Sequence, residues 1–343
     1  MGVGYLIFRE FVIAAGNIAW VLVIIGAAII LSGLIRWASP KHGFHRAIGG
    51  AAGGLVLALF ITQGFAFFGN FGNFGKLPYS ATLEKTYGGA ATASTVSLRL
   101  GSINGPITVQ TWDKTDYQIV ASITARGATQ AEADQNLANL GKDLTEGALA
   151  GAQTLTLIYS SPILINNPYQ IAVEVRLPAS AKLNLDLTTS NGAITIENVV
   201  GDTVKAQTSN ARINAENVKA TRVTLSTSNA VVSGNVEGDT VSISTSNARV
   251  ELTVPSTISG RYDVSTSNAD VDVTVGASAA CRLDAQTSNG QVSFNLPNLT
   301  YSRNQATSKT AETSDYSSAQ IKIQVTIRTS NADVTVERNV FST

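Results

Sequence analysis

The first pattern along the chain is a pair of long apolar stretches near its start. Stretches at about 11–36 and 46–69 are nearly free of charge, and each exceeds the roughly 20 residues that a helix needs to cross a bilayer. They predict an α-helical transmembrane hairpin within residues 1–76, held in membrane lipid and ending in an interfacial joint rich in Gly, Phe and Asn. The short connector is basic, which favours a cytoplasmic position. We therefore expect a multi-pass cell-membrane protein with both termini and the following domain outside the cytoplasm.

The second apolar stretch contains four glycines at helical spacing. Gly49, Gly50, Gly53 and Gly54 form two overlapping pairs of small residues four positions apart. Such pairs let helix backbones approach closely in lipid. We favour packing within the predicted hairpin. The alternatives are a partner membrane protein or a homo-oligomer that uses the same glycine-rich helix.

From residue 77 onward, the pattern changes to short runs of alternating apolar and polar residues, which predict strands. A Thr-Ser-Asn triplet followed by Gly or Ala occurs seven times. Successive triplets are 19, 19, 18, 21, 21 and 42 residues apart, and a period of this kind indicates a solenoid. The repeated asparagines are Asn191, Asn210, Asn229, Asn247, Asn268, Asn289 and Asn331.

Each repeat reads as strand, corner, strand. A unit of about 20 residues cannot bury its apolar face alone, whereas stacked units bury a continuous core. We therefore predict a mainly β protein in which residues 181–343 form a β-solenoid (β-helix) of ~19–21-residue coils. The double spacing before the last triplet predicts a long loop at 297–320.

The corner residues have a structural and a functional interpretation. Asparagine tolerates left-handed backbone and suits a tight corner, and the threonine two positions earlier shares the parity of the apolar residues. The structural interpretation is an asparagine stack with an inward threonine ladder, and the functional one is a ligand-binding stripe. We favour the structural interpretation, because recognition residues on an exposed stripe need not be identical in every coil. The threonines are Thr189, Thr208, Thr227, Thr245, Thr266, Thr287 and Thr329.

Residues 77–180 lack the triplet and are predicted to cap the solenoid. The segment 102–112 resembles a variant first coil with its corner at Asn104. Residues 129–144 have apolar positions near helical spacing and predict one amphipathic helix. In the long loop, Asn298 opens an Asn-Leu-Thr sequon, which makes it a candidate glycosylation site.

Composition and charge limit the kinds of partner and site that the chain can have. Charged residues are 14% of the chain and the formal net charge is zero, so no nucleic-acid partner is indicated. A single cysteine, Cys281, excludes an intrachain disulfide. Asp270 and Asp272 share the outward face of one strand and are weak candidates for a metal site. We expect neither a cofactor nor an enzyme.

Several of these segments together resemble the putative-adhesin family of β-strand-repeat envelope proteins. The residues that carry the resemblance are the stretch Gly101-Ser-Ile-Asn-Gly-Pro-Ile-Thr-Val109, the Thr-Ser-Asn units, and the Gly-Asp turns at Gly201 and Gly238. The resemblance covers roughly residues 95–337. It implies a β-repeat fold and carries no catalytic motif.

Three functions follow as expectations. The first is a non-enzymatic, membrane-anchored cell-surface protein that presents its solenoid for adhesion, matrix contact or self-association, with a surface glycan or a protein as ligand. The second is an accessory subunit of a larger membrane complex, and the third is a carbohydrate-active β-helix enzyme.

Overall fold

A computed structural model describes residues 77–141, 143–161 and 167–339. The predicted transmembrane hairpin, its interfacial joint and the four packing glycines lie outside the described residues. Within the described part, no helix combines the length and the apolar character needed to cross a membrane.

The domain consists of 21 strands and one helix in the part of the chain that the structure describes. The strands before the first triplet and the helix are β1 (Tyr79–Ala90), β2 (Thr95–Gly101), β3 (Ile107–Trp112), β4 (Asp116–Gly127), α1 (Gln130–Asn139), β5 (Thr145–Leu149), β6 (Ala152–Ile158), β7 (Tyr169–Pro178) and β8 (Lys182–Thr188). The strands after it are β9 (Ile194–Glu197), β10 (Val200–Gln207), β11 (Ile213–Ser226), β12 (Val232–Ser244), β13 (Val250–Val254), β14 (Gly260–Ser265), β15 (Val271–Val275), β16 (Ala280–Gln286), β17 (Val292–Asn295), β18 (Leu299–Gln305), β19 (Ser308–Thr313), β20 (Lys322–Arg328) and β21 (Val334–Arg338).

Strands that precede a corner stack in parallel on one side of the coil, which we call sheet 1. Their order is β6–β2–β8–β10–β11–β12–β14–β20–β16. Strands that follow a corner form sheet 2, in the order β7–β3–β9–β11–β12–β13–β15–β21–β17. The long strands β11 and β12 belong to both sheets. The mainly β, solenoid-like repeat architecture predicted from the sequence is thereby confirmed.

Alternation explains why these sequences stack. On sheet 1, one inward column contains only apolar residues, and all of them are buried. The column one position further along the strand is polar except at Gly101 and faces the other side, since successive strand residues point to opposite sides. A one-residue slip would expose the whole apolar column, so the register is strongly specified. The inward column is Leu100, Leu187, Ala206, Leu225, Ile243, Val264, Ile327 and Ala285.

Spatial order departs from chain order at both ends of the stack. At the first end, the coil of β2 and β3 lies between the later coil of β6 and β7 and the coil of β8 and β9. At the other end, the last coil, β20 and β21, inserts between the coil of β14 and β15 and that of β16 and β17. The 42-residue spacing of the last triplet accommodates strands β18 and β19, which lie in the chain between the outermost coil and the inserted one.

The predicted long loop at 297–320 is wrong. Strands β18 and β19 form an antiparallel hairpin there, and β19 pairs antiparallel with β16. This hairpin covers the sheet 1 edge of the outermost coil, which would otherwise expose unpaired backbone groups. Its polar sequence resembles a loop because almost all side chains of β18 are solvent-exposed.

The opposite end is capped by β1, β4, β5 and α1. Strand β4 pairs antiparallel with β7, β1 pairs with β4, and β5 pairs with β6. The helix begins at a reciprocal cap, in which Thr129 accepts from the Glu132 amide and Glu132 accepts from the Ala128 amide. It ends at Asn139, earlier than the predicted 144, because Leu140 has extended backbone.

Candidate functional site

The corners form a continuous ladder of side-chain amides. From the second member onward, each Nδ2 group donates to the Oδ1 atom of the preceding asparagine in the stack, at 2.5 to 2.8 Å. The ladder follows spatial order, so Asn331 stands between Asn268 and Asn289. Asn104 is its first member, which places the variant first coil in the stack. The full order is Asn104, Asn191, Asn210, Asn229, Asn247, Asn268, Asn331 and Asn289.

The backbone of each corner is also bonded to the corner before it. The amides of Ser228 and Asn229 both donate to the Ser209 carbonyl, at 3.1 and 3.2 Å. The same pair of bonds recurs at the corners of Asn210, Asn247, Asn268, Asn331 and Asn289. Left-handed backbone is not what selects asparagine at these positions: of the ladder members, only Asn104 has a positive φ. Asparagine is selected because its amide both donates and accepts along the stack.

The seven repeated threonines are buried, each less than 8% exposed. Each hydroxyl donates to the carbonyl that follows the asparagine of the preceding coil. Thr227 donates to Ala211 at 3.1 Å, and Thr287 donates to Ala332 at 2.9 Å. In the first coil, Ser102 takes the threonine position and donates to the Ile171 carbonyl. The hydroxyls therefore bond to the turn backbone, and the repeat motif is occupied by contacts within the fold.

The weak metal candidates have protein partners. Asp272 accepts a hydrogen bond from Arg249 Nε at 2.6 Å, and Arg249 Nη2 forms an ion pair with the same oxygen at 2.6 Å. Asp270 accepts from the Asp333 amide at 3.1 Å. Among the residues that the structure describes, no group of three or more His, Cys, Asp or Glu side chains is placed to hold a metal ion. Burial raises the pKa of the Cys281 thiol to about 11, so at neutral pH the thiol is protonated.

The outward columns differ from coil to coil, unlike the corners. One column of sheet 1 is charged at both ends and hydroxylic in the middle, and Asp186 in it pairs with Lys205 at 3.3 Å. The column is Arg99, Asp186, Lys205, Thr224, Ser242, Asp263, Thr326 and Asp284.

A cleft of about 520 Å³ opens on the outer side of sheet 2, at the end capped by β1 and β4. The half-buried Trp112 forms one wall, and its Nε1 donates to the Asp116 carbonyl at 2.8 Å. The Lys114 ammonium lies 4.5 Å from the indole centroid and the Arg176 guanidinium 5.8 Å. Gln118 accepts a long hydrogen bond of 3.5 Å from Arg176. We call this the Trp112 cleft.

Sequence reasoning did not identify the Trp112 cleft. Its residues come from β1, the end of β3, β4 and β7, and only the antiparallel pairing of β4 with β7 and β1 brings them together. One local signal was available, because Gly88 and Gly89 interrupt a strand pattern, and glycine inside a strand often marks a close approach.

Asn298, the candidate glycosylation site, is exposed in the turn before β18 and has a φ of +57°. Its carbonyl accepts from the Ser314 amide at 3.0 Å. The structure therefore places the sequon at the base of the end-covering hairpin.

Comparison with known proteins agrees with the repeat architecture. Residues 172–337 match the family model described as Toastrack DUF4097, which supports the predicted resemblance to a β-repeat family for that part of the chain. No curated protein matches the sequence.

Two solved structures are similar at 10% identity, and each likeness covers 76% of this chain. One is a putative cell adhesion protein from Clostridium sporogenes, matched over 100% of its length with a TM-score of 0.33. The other is a putative adhesin from Bacteroides fragilis, matched over 97% of its length with a TM-score of 0.30. Likeness at these TM-scores does not bear on what this chain does.

Proposed function

We propose that this chain is a non-enzymatic, membrane-anchored surface protein whose β-solenoid is a rigid support for adhesion, matrix contact or self-association. The observation that carries the proposal is the division of roles between corner and outer face. The repeated Thr, Ser and Asn residues each bond to the corner of the neighbouring coil, so the motif holds the stack together. The positions left for recognition are the variable outer ones.

Rigidity is the physical basis of the presenting role. Each corner forms four hydrogen bonds with its neighbour: one from the asparagine side chain, one from the threonine hydroxyl and two from backbone amides. Each bond stabilises the folded state by about 1 kcal/mol net, and these contributions add along the stack. Solenoids of this kind gain stability from neighbouring-coil contacts and offer extended surfaces for binding. A stiff stack keeps its outer faces at fixed positions relative to one another.

Anchoring rests on the sequence of residues 1–76. Two apolar stretches of membrane-spanning length precede β1, and the basic residues between them favour a cytoplasmic connector. The cap of β1, β4, β5 and α1 would then be the end of the domain that follows the membrane segment directly in the chain.

The experiment displays the full chain on a host cell and treats intact cells with a non-specific protease. We expect fragments from the β domain to be released from intact cells and adhesion to an extracellular-matrix-coated surface to be lost with them. A domain that is cleaved only after lysis would contradict the surface location. Unchanged adhesion after complete cleavage would contradict the adhesive role.

Purification in mild detergent separates the accessory-subunit alternative from this proposal. A stoichiometric membrane partner, lost when Gly50 and Gly54 are replaced by Leu, would favour the accessory subunit. A single species of this chain alone would favour the surface protein. For the enzyme alternative, turnover of a glycan that disappears in the Asp270→Asn, Asp272→Asn double variant would be required.

A further inference from the structure

The Trp112 cleft exists because β1 lacks side chains where its neighbours have long ones. Gly88 and Ala90 face outward on β1, directly opposite Gln118 and Asp116 on β4. Arg176 stands beside Gln118 on β7. Glycine weakens a strand interior, and its presence there often marks a place where another molecule approaches the backbone. The floor of the cleft is therefore backbone, and its walls are the Trp112 and Arg176 side chains.

The aromatic wall is held in place before any ligand arrives. The Trp112 Nε1 group is fixed by its 2.8 Å hydrogen bond to the Asp116 carbonyl. Lys114 is exposed on its turn and lies over the ring at 4.5 Å. An ammonium on a flexible stem can leave an indole ring at little cost, whereas the ring cannot turn without losing its bond. The indole is thus a pre-oriented stacking surface.

The cleft also contains an acceptor without a partner. Asp116 lines it, and its buried Oδ1 atom accepts no hydrogen bond in the part of the chain that the structure describes. Buried polar atoms are nearly always bonded, so an orphaned acceptor calls for a donor supplied from elsewhere. Because this atom has almost no exposed surface, a ligand hydroxyl would supply the donor after a rotation of the Asp116 carboxylate turns the atom toward the cleft.

The charged side chains of the cleft are Lys114, Arg176 and Asp116, so two cations stand against one carboxylate. A volume of about 520 Å³ falls within the usual range for small-molecule sites. Stacking on an indole requires a flat apolar face, the orphaned acceptor requires a hydroxyl, and the excess positive charge requires an anion. A pyranose ring that bears a carboxylate meets all three requirements.

We propose that the Trp112 cleft binds a uronic-acid unit of an acidic polysaccharide. The sugar ring stacks on Trp112, its hydroxyls bond to Asp116 and Gln118, and its carboxylate pairs with Arg176 and Lys114. Arg176 is the main anion partner, because its planar guanidinium matches a carboxylate in two hydrogen bonds. This site would be the recognition surface of the proposed adhesin, and the inference therefore rests on that proposal for its biological setting.

The test is calorimetric titration of the full chain in detergent with three probes: trigalacturonate, a hyaluronate tetrasaccharide and a mannuronate trimer. We expect at least one probe to bind, and its methyl ester to bind about tenfold more weakly or worse, because hydrogen bonds to a charged group are worth at least that factor. Trp112→Ala and Arg176→Gln should each weaken binding to a similar extent.

Two comparisons keep the result decisive. Gln110→Ala is the matched control, since Gln110 neighbours Arg176 in register on β3 but does not line the cleft, and it should bind normally. A Trp112→Ala variant with a lowered melting temperature could lose binding through unfolding. In that case the Trp112→Phe, Arg176→Gln double variant is titrated in its place, and its binding should be weakened. Absence of binding by all three probes, equal binding of the ester, or tighter binding of triglutamate would each overturn the inference. Binding without cell adhesion would instead count against the proposed function.

Discussion

The middle of the solenoid and its two ends use the same corner, yet they arrange their coils differently. From Asn191 to Asn268, each coil stacks on the one before it in the chain. At the ends, the coil of Asn331 inserts before that of Asn289, and the coil of β6 and β7 lies outside that of Asn104. A corner that bonds equally well to any other corner does not specify order.

Order at the ends is specified by contacts that do not repeat. Asp284 on β16 accepts from Arg328 on the inserted β20 at 2.8 Å and from Thr310 on the hairpin at 3.0 Å. Arg282 on β16 pairs with Glu312 on the hairpin at 3.0 Å. The comparison teaches that identical repeats supply cohesion, whereas unique side chains beside them decide which coil is outermost.

The largest effect is expected where the first of the middle coils approaches the neighbouring end coil most closely. Gly192 follows the corner asparagine, and a Cβ there would overlap the Gly105 carbonyl oxygen. We expect Gly192→Ala to lower the free energy of unfolding by about 3 kcal/mol or more, measured by urea denaturation. Ala211 occupies the equivalent position in the middle, and Ala211→Gly should cost only about 1 kcal/mol. Equal costs would show that the ends and the middle pack alike.

The next-largest loss of stability is expected when a threonine in the middle of the stack is replaced. Thr227→Val keeps the volume but removes the hydroxyl that donates to the Ala211 carbonyl. We expect a loss of about 1–3 kcal/mol in the free energy of unfolding, because a buried acceptor loses its partner. Thr227→Ser retains the hydroxyl and serves as the control. A stable Thr227→Val variant would mean that the ladder of hydroxyls does not hold the coils together.

Replacing asparagines of the ladder should cause smaller losses of stability, which depend on the position in the stack. Asn229 both donates to Asn210 and accepts from Asn247, whereas the outermost Asn289 has one ladder bond, to Asn331. Both are exposed. Replacing Asn229 by Ala should cost about 1 kcal/mol and replacing Asn289 about half as much. Thermal melting of the two variants measures the ratio, and a larger loss at Asn289 would contradict the additive ladder.

The smallest expected effect is a local loss of stability at low pH. Burial raises the pKa of Asp284, but hydrogen bonds from Arg328 and Thr310 outweigh it and lower the pKa below its usual 3.8. A lowered pKa in the folded state gives stability that is present above the ordinary pKa and is lost as pH falls through the folded value. We expect hydrogen exchange at β19 and β20 to accelerate below about pH 4, relative to the middle coils. Asp284→Asn should remove that difference.

The repeating part of this fold could be predicted from the sequence because its information is local. The alternation around each triplet fixes which residues face inward, and the recurrence of Thr and Asn at the corner implies a bonded stack. The same uniformity hides the order of coils, since the flanks of Asn289 and Asn331 have the same alternation of apolar and polar residues. The hairpin at β18 and β19 was missed because its exposed side chains are polar, as in a loop.

The candidate site shows the same limit more strongly. Gly88, Trp112, Gln118 and Arg176 are up to 88 residues apart in the chain, and no short motif joins them. They meet only because β4 returns antiparallel between β1 and β7. Pairings of this range depend on the tertiary contacts of a cap that occurs once, so the sequence offers no repeat from which to infer them.

One measurement tests the insertion of the last coil directly. In a Cys281→Ala background, cysteines at Arg282 and Gln324 are register neighbours in the described order, about 4.8 Å apart and within reach of a disulfide. Cysteines at Arg282 and Arg261 are separated by the inserted β20, at about 10 Å, beyond that reach. Oxidation followed by mass spectrometry should find a disulfide in the Arg282→Cys, Gln324→Cys variant alone. A disulfide in the Arg282→Cys, Arg261→Cys variant, and none in the other, would show that the coils stack in chain order and would contradict the account.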